Sequence, residues 1–304
     1  MELSLIKGTP LASYTKLGKK KFIYSSEDTC ETNKKISNID GVASYIEKLM
    51  NDNKTSLTDN EIKLIGKSIK TKNKPVSKKL GKIYDDITLE DKKSKIINIE
   101  NGDVMPVFNP DCEREVFYVA GMSGSGKSVF ASKLINNYNK LFPKNAVFLF
   151  SNKPEDPALD KEKLFRIGLD DDLLNDQFDL QDLKNKLIVF DDVEANKNKF
   201  IQEELDRVRD LILQQGRSYH ISFIYISHLL NDGKKTRTII NESHKICVFP
   251  KYTTFHSLSY CLERYLGFSK QDIKKLKELK SRYACISKFP AMSVVHSNGA
   301  FIID

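Results

Sequence analysis

Eight consecutive residues, Gly121-Met122-Ser123-Gly124-Ser125-Gly126-Lys127-Ser128, match the pattern GxxxxGK[ST] without a mismatch. The spacing suits a triphosphate. Three glycines let a loop wrap so that successive backbone N–H groups point inward at phosphate oxygens. Lys127 reaches the β- and γ-phosphates, and the Ser128 hydroxyl is a ligand for Mg²⁺. A hydrophobic run, EVFYVA (115–120), precedes the loop, and an amphipathic stretch over 129–141 follows it. That order of strand, loop and helix is the context in which such a loop binds ATP, the helix N-terminus adding its positive dipole.

A second group lies downstream. Leu187-Ile188-Val189-Phe190-Asp191-Asp192 is an apolar run ending in two acids. A strand that ends in Asp sets a carboxylate at the carboxyl edge of an α/β sheet, where ligands gather. Asp191 is expected to hold Mg²⁺, directly or through water. Asp192 is placed to orient and polarise an attacking water, and Glu194 is a rival for that role. Ser227 and His228 follow the run ISFIYI (221–226) and are candidates to sense the γ-phosphate by hydrogen bonding. Arg217 precedes that run, so it falls at the edge away from its own nucleotide. There it can serve a neighbouring copy as an arginine finger. Asp170-Asp171-Asp172 reads as a solvated loop rather than a metal site.

These residues need a sheet to hold them. Five short runs rich in Val, Ile, Phe and Tyr occupy 115–120, 146–150, 186–190, 221–226 and 245–249. Short continuous apolar runs suit strands buried on both faces of a parallel sheet. Helical patterns over 129–141, 197–215 and 234–243 lie between them. The alternation predicts an α/β domain with helices on both faces. Further helices are expected at 255–268 and 269–280, with Gly267 as a stop and Ser269 as an N-cap. The last residues read as two strands joined by a turn around Ser297-Asn298-Gly299, closing one edge of the sheet.

The chain has 304 residues, 40% of them hydrophobic and 30% charged, with a net charge of +8. That composition excludes a wholly disordered chain, and no apolar run is long enough to span a membrane. The opening residues are too short and polar for a secretory signal. The five cysteines are far apart and form no CxxC pair, which predicts a reducing compartment such as the cytoplasm. Residues 1–100 hold 20 Lys, no Arg and 14 acidic residues, a net +6. They read as a basic N-terminal appendage, partly helical or disordered, ahead of an ATPase domain over 101–304. Helices are expected at 39–50 and near 58–69, the second with a capping box between Thr58 and Glu61. Lysines of this appendage, or of Gly233-Lys234-Lys235, are candidate contacts for a polyanionic partner.

The order of GMSGSGKS, LIVFDD, GRSYHISFIYISH and RTIINESHKICVFP resembles the FtsK–HerA superfamily of P-loop ATPases. Within it the pattern is most like the poxvirus-type genome-packaging ATPases of large nucleocytoplasmic DNA viruses. The likeness covers roughly 112–304. It implies a RecA-like core, a mostly parallel sheet with one extra strand between the P-loop strand and the Asp-bearing strand. By position it implies that Lys127 and Ser128 bind phosphate and Mg²⁺, that Asp191 supports the metal, and that His228 is the sensor. It puts Asp192 where many relatives carry a catalytic Glu, and Arg217 where they carry the trans Arg. The implied function is ATP hydrolysis that moves double-stranded DNA, through a homo-oligomeric ring, into a viral capsid with capsid or portal proteins as partners. The virion or the viral factory of the host cytoplasm is the implied location. A P-loop kinase and a non-hydrolysing ATP-binding scaffold are the alternatives. The shorter Asp192 in place of Glu leaves the choice between Asp192 and Glu194 open.

Overall fold

The computed structural model of the chain describes residues 2–26, 57–71, 73–100, 103–175, 178–231 and 233–303. The chain begins with β1 (Glu2–Ser4), β2 (Thr9–Lys16), β3 (Lys19–Ser26), α1 (Asp59–Thr71), α2 (Lys78–Ser94), β4 (Ile96–Asn98) and β5 (Met105–Pro106). Next come β6 (Val116–Ala120), α3 (Lys127–Leu141), β7 (Val147–Ser151), β8 (Phe165–Gly168), α4 (Asp172–Asn175) and β9 (Leu187–Asp191). They are followed by α5 (Lys199–Gln215), β10 (Ser222–Ser227), α6 (Gly233–Glu242) and β11 (Lys245–Val248). The last elements are α7 (Phe255–Leu266), α8 (Lys270–Lys277), β12 (Ala284–Ser287), β13 (Ser293–His296) and β14 (Gly299–Ile302).

A ten-stranded sheet runs in the order β4-β14-β13-β12-β11-β6-β10-β9-β7-β8. From β11 to β8 every pair is parallel. The five apolar runs are β6, β7, β9, β10 and β11. β10 sits between β6 and β9, the inserted strand that marks a RecA-like P-loop core. Every residue of β6, β9 and β10 is buried. Alternate side chains serve opposite faces. Val116, Tyr118 and Ala120 pack in one core with Leu205, Val208 and Ile212 of α5. Phe117 and Val119 pack in the other with Phe130, Leu134 and Tyr138 of α3. Burying each large side chain contributes about 1.5–3 kcal/mol. Two covered faces explain why these strands read as unbroken apolar runs rather than alternating ones.

The other half of the sheet is antiparallel, and here the structure corrects the sequence reading. The residues after 282 form three strands, not two, because Pro290 has no N–H to give a ladder and breaks the run between β12 and β13. The chain's last strand does not close the edge either. β4 does, pairing Ile97 with Ala300. Gly267, at φ 70°, ends α7, and Ser269 opens α8 with a capping box to Asp272, both as the sequence predicts.

Near the start of the chain, β1, β3, β2 and β5 form a second, antiparallel sheet. The sequence shows no long apolar run there because burial stops partway along the hairpin: Leu11 to Tyr14 are buried in succession, and Lys16 to Lys21 are exposed in succession. Leu11, Ala12, Tyr14 and Ile23 join the core on the α3 side, while Lys19, Lys20 and Lys21 face solvent. α1 carries the expected capping box: Thr58 N donates to Glu61 Oε2 at 2.8 Å and Glu61 N to Thr58 Oγ1 at 3.4 Å. The helix expected at 39–50 lies outside the described residues. Gly233-Lys234-Lys235 opens α6, the helix expected over 234–243. No described helix is long and apolar enough to cross a membrane.

Candidate functional site

Register sets up one working edge. Ala120 pairs with Ser227, Ile226 with Asp191, and Asp191 with Ser151. With neighbouring strands about 4.8 Å apart, the carboxyl ends of β6, β10, β9 and β7 make a row roughly 15 Å long. Chain leaving β6, β10 and β9 therefore meets in one place, as ligand sites of open α/β sheets require.

Loop 121–126 leaves β6 with Gly121 N donating to Ser227 O at 3.2 Å. Gly124 and Gly126 have φ of 75° and 102°, left-handed values that favour glycine. At Gly121 a Cβ would come within 2.9 Å of Phe249 Cδ2 and 3.0 Å of Ser125 Oγ. Ser125 is fully buried, and its hydroxyl has no hydrogen-bond partner. Met122 and Ser123 form the exposed crest. No side chain caps α3 at Gly126, so none competes for the amides of its first turn. An unpartnered hydroxyl and uncapped amides fit a phosphate cradle.

Lys127 is 7% exposed. Its Nζ donates to Gly121 O at 2.7 Å and Met122 O at 3.2 Å, and it meets His228 Nδ1 at 3.2 Å. Burial lowers its pKa, against the pull of Asp192 and Asp191. The other ring nitrogen, His228 Nε2, lies 2.8 Å from Asp192 Oδ1, off the line of a well-aligned hydrogen bond. An ammonium only donates, so Nδ1 accepts and Nε2 carries the proton. The turn bearing His228 is fixed from below. Tyr118 Oη donates to Leu229 O at 2.5 Å, and Leu229 N donates to Ser227 Oγ at 3.2 Å.

Asp192 sits in the left-handed region at φ 53°, uncommon for a residue other than glycine. Burial pushes its carboxyl up, but a 2.7 Å ion pair with Lys153 and the contact with His228 outweigh that and hold it low. Asp191 is 1% exposed. Burial, and then the charge of Asp192, push its carboxyl up to about 6. Its nearby donors are distant: Lys153 Nζ at 3.8 Å and Ser151 Oγ at 3.5 Å. This buried, under-compensated carboxylate and the Ser128 hydroxyl on the first turn of α3 fit a hard divalent cation such as Mg²⁺.

Most of the residues marked in the sequence meet here. Lys127, His228 and Asp192 are in contact, and Asp191 adjoins them. Glu194 is exposed in the turn after β9, its charge felt by Tyr225 and Lys127. Arg217 is not brought in. It stands before the amino end of β10, its side chain 80% exposed and paired with Glu113 at 3.1 Å. Two basic residues escape the sequence reading. Lys153 follows β7, and a polar exit from a parallel strand is the signal that marks it. Arg282 packs on the phosphate loop, with its Nη1 3.5 Å from where a Cβ on Gly126 would stand. Only the antiparallel course of β12 beside β11 puts Arg282 at this edge, and no local signal announces that.

No protein-family model matches the chain. It is 39% identical over 212 residues to the "Uncharacterized protein V3" of Sputnik virophage, covering 69% of this chain and 85% of that protein. Among solved structures it is similar to the genome packaging NTPase B204 from Sulfolobus turreted icosahedral virus 2 in complex with AMPPCP. There the identity is 15% and the TM-score 0.43, over 63% of this chain and all of the other. The pCW3 conjugation coupling protein TcpA gives 14% and 0.42, over 69% of this chain and 66% of TcpA. The cytoplasmic domain of the Type VII secretion ATPase EccC from Thermomonospora curvata gives 15% and 0.43, over 69% of this chain and 28% of the other. Likeness at this level says nothing of activity. The P-loop core, with one strand inserted between the P-loop strand and the Asp-bearing strand, rests on this chain's own strand order and phosphate-loop motif.

Proposed function

We propose that the chain, which belongs to the protein family that includes V3 of Sputnik virophage, is an ATP-hydrolysing motor translocating double-stranded DNA, packaging a viral genome into its capsid. One observation carries the reading. Lys127, His228 and Asp192 form a bridge of 3.2 Å and 2.8 Å contacts at the sheet edge, with Asp191 at the adjoining position.

The amides of 121–128 bind the phosphates, and Lys127 donates to oxygens of the β- and γ-groups. Ser128 and Asp191 hold Mg²⁺, which when bound neutralises charge on those phosphates. Asp192 accepts a proton from a water whose oxygen bonds to the γ-phosphorus. The bond from that phosphorus to the β–γ bridging oxygen breaks, leaving ADP and phosphate. His228 couples the phosphate-binding lysine to that carboxylate, so it senses the γ-phosphate. Arg217 of a neighbouring copy in a ring stabilises charge developing in the transition state. DNA is held through its phosphates, without sequence preference and with strong salt dependence.

The scaffold reading has one observation in its favour: a carboxylate tied to Lys153 is a weak proton acceptor. ATP turnover with and without duplex DNA separates the two. Wild type is expected to hydrolyse ATP faster with DNA, and Lys127→Ala and Asp192→Asn to be inactive. Mixing Lys127→Ala with Arg217→Ala protein is expected to restore part of the activity, since each supplies what the other lacks. Equal turnover by wild type and Lys127→Ala overturns the site. Tight ATP binding with no turnover on DNA establishes the scaffold.

A further inference from the structure

The hairpin of β2 and β3 ends in Lys16-Leu17-Gly18-Lys19-Lys20-Lys21. Leu17 and Gly18 have φ of 52° and 72°, the paired left-handed values of a two-residue type I′ loop. The first position of such a loop favours Asn, Asp or Gly. Leu17 accepts that strain and is 94% exposed, so burial returns nothing. Lys16 stands directly opposite Lys19 in the ladder, a like-charge pair that weakens a hairpin. All four lysines are exposed, and none joins an ion pair among the described residues. Partial desolvation of its ammonium, and then the charge of Lys140 at the last turn of α3, lower the pKa of Lys20. A groove of about 370 Å³ between the hairpin and α3 is lined by Lys20, Lys133, Lys140 and Lys161. Its acids are already engaged: Asp103 pairs with Lys133 at 2.7 Å, and Glu162 accepts from Ser132 and Asn136 at 2.8 Å.

Strain, an exposed apolar tip and uncompensated like charges all work against folding. Such local conflicts are expected where a partner resolves them. The hairpin is also rigidly mounted. Leu11, Tyr14 and Ile23 share a core with Phe130, Leu134 and Tyr138 of α3, the helix that begins at Lys127. We propose that the β2–β3 tip is the DNA grip of this motor: the two-stranded ribbon enters the major groove of duplex DNA, Lys16, Lys19, Lys20 and Lys21 contact phosphates on its walls, and Leu17 packs inside the groove. A B-DNA major groove of about 12 Å admits a two-stranded ribbon. Charge complementarity selects a dense polyanion, and phosphate contacts suit a motor that must hold any sequence. This inference rests on the motor reading and assigns its polymer-binding surface.

The test measures binding of a fluorescent 30-base-pair duplex to the full chain between 50 and 200 mM salt, without nucleotide, alongside ATP hydrolysis without DNA. The variant K16Q/K19Q/K20Q/K21Q is expected to bind about tenfold or more weakly at 100 mM salt. Its slope of log K against log salt is expected to be shallower by about 3–4, near 0.9 per lost phosphate contact. Leu17→Asn, which relieves the turn, is expected to weaken binding while leaving the salt slope alone. DNA-free hydrolysis stays at the wild-type rate in both. Wild-type affinity and slope in the lysine variant overturn the proposal, as does wild type that binds no duplex at 50 mM salt. Retention of anionic phospholipid vesicles but not duplex by the same lysines also overturns it. If wild type binds duplex through the hairpin yet never hydrolyses ATP, the motor reading fails and the grip stands.

Discussion

Lys153→Met removes one charge from the site while keeping an unbranched side chain one atom shorter, and its effect on stability can be worked from geometry. Lys153 Nζ lies 2.7 Å from Asp192 Oδ2 and 3.8 Å from Asp191 Oδ2. The Asp192 side chain is 8% exposed and that of Lys153 46%. Breaking a fully buried pair costs about 3–5 kcal/mol, and an exposed pair about 0–1. A pair buried at one end falls between, at about 1–2 kcal/mol near neutral pH. For a chain of this size that is a fall in Tm of a few degrees. The pH dependence discriminates. In wild type the carboxyl of Asp192 is held below its ordinary 3.8, so its stabilisation is present above 3.8 and is lost only as pH falls through the lower folded value. Without Lys153, burial and Asp191 raise that carboxyl, and the variant sheds its penalty by taking up a proton at higher pH. The gap between the two proteins therefore narrows as pH falls from 8 to 5. Calorimetry in buffer free of nucleotide and divalent cations reads it directly. A gap that is constant or wider at pH 5 means that Lys153 acts by packing, and the electrostatic account of this site is wrong.

Asp191, raised to about 6, is stabilised in its protonated form, so its favourable contribution fades as pH rises through 6. Asp191→Asn is expected to raise stability by about 1–3 kcal/mol at pH 7.5 and to change little at pH 4.5, again by calorimetry in metal-free buffer. Gly126→Ala puts a Cβ at φ 102° and 3.3 Å from Arg282 Cδ. It is expected to weaken ATP binding about tenfold and to cost roughly 1–3 kcal/mol; titration calorimetry with wild-type affinity counts against the loop geometry. His228→Ala is expected to lower kcat by roughly 10²-fold with the Kd for ATP nearly unchanged, since the ring links Lys127 to Asp192 rather than binding alone. Leu134→Ala, fully buried on α3, is expected to cost about 2–5 kcal/mol in urea unfolding.

Much of the parallel half of the fold is legible in the sequence because both its faces are covered. β6, β9, β10 and β11 appear as unbroken apolar runs, and the phosphate loop is a local device whose glycines and lysine are contiguous. β2 and β3 are not legible, since burial ends partway along the hairpin and leaves Lys16, Lys19, Lys20 and Lys21 in the pattern. β4 is too short and polar to announce that it completes the sheet beyond β14. The site divides in the same way. Residue type and chain order alone determine the GxxxxGKS loop, the strand-end acids and the capping boxes, because each is a property of neighbours in sequence. Only the tertiary structure decides that Lys153 neutralises Asp192, that His228 bridges Lys127 to it, that Arg282 lies on the loop, and that Arg217 stands at the far edge. Those contacts join residues 36 to 156 positions apart, and Coulomb energy and burial depend on distance through space, which strand order and register set and no local pattern encodes.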